Sequence, residues 1–140
     1  MQESRYGIGV DIALPHDAAI EQTTAALGQE GFGVLSTIDL LRTMKQKLDR
    51  EIRKYVILGA CNPALAGRAL DAELEIGLLL PCNVIVYERE PGISTVAAMA
   101  PLPAMGLVGN ADIEAVARDA DARLRRALTH LERTHPVARR

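Results

Sequence analysis

Aromatic side chains are almost missing from this chain, which has three tyrosines, one phenylalanine and no tryptophan. Its core must therefore be aliphatic, and Tyr6, Phe32, Tyr55 and Tyr87 offer little on which single-stranded nucleic acid could stack. An excess of either charge is missing too. The formal net charge is −2 and the pI about 5.9, so no global basic field attracts nucleic acid or an anionic membrane. No apolar run approaches the roughly 20 residues a membrane span needs. The opening Met-Gln-Glu-Ser-Arg lacks a basic region followed by an apolar stretch, so secretion is not expected. Two cysteines in 140 residues do not make a disulfide framework. The expectation is a cytoplasmic protein with neither a nucleic-acid nor a membrane partner.

What remains is ordinary globular material. Hydrophobic residues at 49% and charged residues at 24% sit in the normal range, which excludes disorder of the whole chain. A length of 140 residues fits one domain over 1–140, ordered about 4–133 with a tail at 134–140 that includes Arg139 and Arg140. Alternation of Tyr6, Ile8, Val10 and Ile12 within 4–14 reads as a half-buried strand ended by Pro15. Asp17 is a cap or first-turn acid for a helix over about 17–30, with Ile20, Thr23 or Thr24, and Leu27 inward. Gly31 punctuates its end, and Phe32 to Ile38 reads as a second strand.

Asp39 then opens a short helix carrying Leu41, Met44 and Leu48. Tyr55 to Cys61 is a third strand. Asn62 and Pro63 start another short helix with Leu65, Ala69 and Leu70 inward. Ile76 to Pro81 reads as a buried connection, Asn83 to Glu88 and Ile93 to Ala98 as strands four and five, Pro91-Gly92 as their turn, and Pro101 with Pro103 as a loop. Asn110 caps a helix over about 111–133, with the stripe Ile113, Val116/Ala117, Ala120, Leu124, Ala127/Leu128 and Leu131. This order predicts an α+β domain whose mixed, mainly antiparallel five-stranded sheet has helices on one face.

One constellation stands out. Gly59-Ala60-Cys61-Asn62-Pro63 ends the third strand, and Leu80-Pro81-Cys82-Asn83-Val84 begins the fourth. If those strands are antiparallel neighbours, the two Cys-Asn corners meet at one edge; if they are parallel, the corners lie at opposite ends. The hairpin after strand four favours the antiparallel arrangement. Paired thiols there could form a redox couple, given a stabilising helix N-terminus or a cation such as Arg68. In the plainer reading the cysteines are small buried hydrophobes and the asparagines bond local backbone.

The other signals are weaker. No C-x-x-C or H-x-x-x-H spacing occurs, and His16, His130 and His135 are scattered, so no metal site is expected. Arg42, Lys45, Lys47, Arg50, Arg53 and Lys54 form a charge run, more simply a solvated face than an anion patch. Tyr6-Gly7-Ile8-Gly9 lacks a third glycine and a following helix, so it is not a dinucleotide fingerprint; its glycines fit a close approach between strands.

The runs I-L-G-A-C-N-P-x-L-A-x-x-A-L at 57–70 and I-G-L-L-L-P-C-N-V-x-V-Y at 76–87 resemble the domain of unknown function 302 family. Y-G-I-G-V at 6–10, E-G-F-G-V-L-S at 30–36 and V-G-N at 108–110 fit as well, so the resemblance spans about 4–132. It implies a small prokaryotic α+β domain of TATA-binding-protein-like β-α-β4-α arrangement, here with two short inserted helices, acting as a homodimer. It implies no activity and no cofactor, and a shared fold would supply neither. The family's signature positions fall on Cys61, Asn62, Pro63, Pro81, Cys82 and Asn83, the candidate ligand-binding residues. Without an acid–base constellation, the expectation is a homodimeric small-ligand-binding domain rather than an enzyme. The alternatives are thiol redox chemistry through Cys61 and Cys82, or a protein-interaction or assembly module.

Overall fold

A computed structural model describes residues 1–138. Six strands, β1 (Gln2–Glu3), β2 (Gly7–Ile12), β3 (Gly33–Asp39), β4 (Tyr55–Cys61), β5 (Cys82–Glu90) and β6 (Ile93–Met99), form one sheet. Their spatial order is β1-β2-β6-β5-β4-β3. The α+β class and the helix-covered sheet agree with the sequence reading, with two corrections. The sheet has six strands rather than five, because the chain reverses over Ser4, whose hydroxyl accepts the Tyr6 and Gly7 N–H groups, and returns Gln2–Glu3 beside β2. All five pairings are antiparallel, so the sheet is not mixed.

Period-two alternation sorts the strands into two faces. On one, Val10, Val96, Val86 and Val56 face each other across four strands and are buried. Such β-branched rows suit a pleated surface. Helices α1 (His16–Gln29) and α5 (Ala111–Thr134) cover this face through Ala19, Ala26, Leu27, Leu124, Ala127, Leu128 and Leu131. Within α1, buried His16 sets Nε2 2.9 Å from the Val86 carbonyl, and Thr24, expected inward, is exposed. Every residue in the expected α5 stripe is buried, and the Asn110 side chain accepts the Asp112 and Ile113 N–H groups at its start.

A second cluster lies against the first half of α5. There α3 (Pro63–Ala72), a 3₁₀ helix over Leu74–Leu79, and α4 (Pro101–Gly106) contribute Leu65, Ala69, Ile76 and Met105. Two local readings change here. The expected connection from Ile76 to Pro81 is not buried throughout, since Leu78 points to solvent while Ile76 is buried. The Pro101–Pro103 loop is helical, because proline lacks only an N–H that the first helical turn leaves unpaired anyway. The remaining helix, α2 (Leu40–Leu48), has no buried residue at all. At the end of the chain Thr134 is still helical and the His135 carbonyl accepts the Ala13 N–H at 2.9 Å. Of the expected tail, Arg139 and Arg140 fall outside the described residues.

Candidate functional site

Strands β4 and β5 are antiparallel, with Ala60 opposite Cys82 and Gly59 opposite Asn83. That register brings Cys61, Asn62 and Cys82 around one cavity beneath α3, bordered also by Phe32, Leu65 and Met105. Its volume is about 20 Å³, room for about one water molecule. Both cysteines are free thiols. Burial first, and Cys61 second, push the Cys82 thiol up from 9.0 to about 11. At neutral pH it is therefore protonated and a poor nucleophile. Arg68, the cation expected from the sequence, pairs instead with Asp119 at 3.4 Å.

Asn62 caps α3. Its Oδ1 accepts the Leu65 N–H at 3.2 Å and its Nδ2 donates to the Glu30 carbonyl at 3.3 Å. Both ends of the amide are thus used in holding α3 against the α1–β3 connection. Pro63 is exposed in the first turn of α3. Pro81 is exposed beside Gly59, where an added Cβ would stand 3.0 Å from Pro81 and 2.2 Å from the Ser36 hydroxyl. Only a glycine at 59 lets the two neighbours close over β4. The two Cys-Asn corners therefore meet only in part. Alternation turns Cys82 toward the helices and Asn83 to the opposite, open face.

That open face was not legible as a site. Tyr55, Ile57, Ile85, Tyr87, Ala97 and Met99 are all partly exposed on it, and none joins either core cluster. Asn83, Tyr55, Tyr6 and Met99 border a groove of about 330 Å³, floored by Gly7, Ile85 and Ala97. A second trough of about 310 Å³ continues along Gly9, Tyr87, Thr95 and the β1 strand, sharing Tyr6, Gly7, Ile85 and Ala97. The strand centres on this face carry little. A Cβ on Gly9 would come within 3.1 Å of the Ala97 methyl.

All three tyrosines of the chain border this face. Tyr55 and Tyr87 stack with centroids 5.5 Å apart and planes 11° apart, and the Arg53 guanidinium stands 5.8 Å from the Tyr87 centroid. Burial, then Tyr87 and Tyr6, raise the Tyr55 hydroxyl above its ordinary pKa. The available sequence signal was aromatic scarcity combined with strand alternation, which puts Tyr55, Tyr87, Ile57, Ile85 and Asn83 on one side.

In the basic stretch around α2, two of the six side chains have a local partner. Lys45 meets Asp49 at 2.8 Å and Glu51 at 3.8 Å, and Arg53 donates to the Glu88 carbonyl. Among the described residues no three His, Cys, Asp or Glu side chains gather as a metal would require, and no helix is long and apolar enough to cross a membrane.

The sequence pattern of the family described as Domain of unknown function DUF302 matches residues 8–131. A crystal structure of an uncharacterised conserved DUF302 protein from Bacillus stearothermophilus is similar, at 30% identity and a TM-score of 0.84, over 91% of this chain and 99% of that one. No curated protein matches. With the doubled Cys-Asn corner and the matching fold, the chain belongs to the DUF302 family.

Proposed function

We propose that this chain is a small-ligand-binding domain acting as a homodimer, with its ligand taken in the open-face groove bordered by Tyr6, Tyr55 and Asn83. The observation that carries the reading is a concave apolar surface of about 330 Å³ with one unpaired amide at its edge. Ligand sites are typically apolar clefts of roughly 300–1,000 Å³ with few polar anchors. The cavity beside Cys61 and Cys82, at about 20 Å³, has no room for such a molecule. Asn83 is the member of the sequence-derived set that lines the groove; Asn62 and Cys82 support the strand pair behind it.

A metabolite library screened by tyrosine emission should yield a saturable hit that weakens at least tenfold in Asn83→Ala. If no hit responds to that variant, or if binding follows Asn62 and the cysteines instead, the groove is not the site.

The homodimer reading rests on β3 and α2. Edge strand β3 is exposed from Leu35 to Asp39, and α2 presents Leu40, Leu41, Met44 and Leu48 with none buried. A nine-residue helix has little stability of its own in water. A second copy placed across a two-fold axis would supply both the missing strand partner and the missing apolar cover. Thiol redox chemistry is the rival reading, favoured by two free thiols at one cavity. The raised pKa of Cys82 weighs against it.

A further inference from the structure

Charge is absent from the lining of the groove. Its walls and floor are Tyr6, Gly7, Tyr55, Asn83, Ile85, Ala97, Ala98 and Met99. Two acidic side chains near it are already matched. Glu3 pairs with Arg125, and Asp11 is held by Arg89 at 3.2 Å and accepts the Thr95 hydroxyl at 2.6 Å. An ionic ligand would lose its water here and meet no counter-charge, which is strongly unfavourable. The polar capacity that is left is neutral. Among the described residues, neither the Asn83 amide nor the Tyr6 and Tyr55 hydroxyls makes a side-chain hydrogen bond. A primary amide offers one acceptor and two donors in a single plane. The Tyr55 ring, stacked on Tyr87, provides a flat π-face next to it.

Resting on the groove being the ligand site, we infer that its occupant is a neutral, flat ring molecule with a hydrogen-bond donor and an acceptor on one edge. That edge, amide-like or lactam-like, pairs with Asn83, while the ring lies between Tyr6 and Tyr55 over the small residues Gly7 and Ala97. Anions and cations of the same size are rejected, because nothing in the lining neutralises them. So are saturated rings, which lose the stacking that a flat π-face offers.

A matched set of fragments tests this on the isotope-labelled full chain: benzamide, benzoate, benzamidinium, cyclohexanecarboxamide and ethylbenzene, followed by amide chemical shifts. Benzamide should shift the Asn83 side chain and the backbone of Gly7 and Ala97, and bind at least tenfold more tightly than the two charged rings and the saturated amide. Asn83→Leu should weaken benzamide at least tenfold and leave ethylbenzene unaffected. Equal or tighter binding of benzoate or benzamidinium at the same residues overturns the ligand class and leaves the groove as a site. Shifts confined to the surroundings of Cys61, or none up to solubility, overturn both. If Ala97→Arg dissociates a dimer of the wild-type chain, a second copy fills the groove and the inference falls.

Discussion

Cys82 shows how one residue's surroundings decide what chemistry it has. It opens β5, points toward the helices and is 5% exposed, so the thiolate would give up hydration without gaining a cation. Below its unfolded pKa of 9.0 both states carry the proton and its burial costs nothing. As pH rises from 9.0 toward about 11, the unfolded chain releases that proton and the folded chain does not, so stability is lost across that window. The loss should reach roughly 2–3 kcal/mol relative to Cys82→Ala, measured by denaturant unfolding at stepped pH. Iodoacetamide at pH 7.5 should leave Cys82 unmodified in the folded chain. Rapid native-state alkylation of Cys82 would restore the thiol redox reading.

Among the elements, β4, β5 and α3 show how much one position within an element matters. Asn62 and Asn83 follow cysteines in the same dipeptide, yet one caps a helix and the other stands in mid-strand on the open face. Asn62→Ala removes the cap on Leu65 and the bond to the Glu30 carbonyl. It should cost about 1–2 kcal/mol of unfolding free energy. Asn83→Ala removes no side-chain hydrogen bond among the described residues and should stay within about 0.5 kcal/mol of wild type. Denaturant midpoints of the two variants, measured side by side, distinguish them; equal losses would mean that Asn83 is structural. The third and fifth expected strands and the capped last helix were legible because their apolar spacing is regular and their start signals are local. β1 was not, because Gln2–Glu3 has no apolar signal of its own and pairs only through the Ser4 turn. α4 was hidden by its prolines, which fit a first helical turn as well as a loop.

For the whole molecule, the open sheet face and the β3–α2 edge are apolar surfaces left uncovered among the described residues. The first is concave and sized for a small molecule; the second is an exposed strand edge followed by an amphipathic helix. Assigning them to ligand and to partner respectively leads to a mass prediction. Sedimentation equilibrium at micromolar concentration should give twice the monomer mass, and Met44→Glu should shift the equilibrium toward monomer at least tenfold without unfolding the chain. A monomeric wild type would remove the homodimer from the reading.

The sequence by itself determined the α+β class, most of the elements, the aliphatic core and the family, because each is written in local periodicity, capping residues and short motifs. It also pointed to the antiparallel meeting of the two Cys-Asn corners through the hairpin that follows. Only the tertiary structure decided that the corner is too tight for a ligand and that Asn83 belongs to the opposite face. The same holds for the three tyrosines, separated by up to 81 residues, which come to border one groove. The reason is geometric: volume and facing arise from strands distant in the chain lying side by side, and no local pattern encodes the space between them.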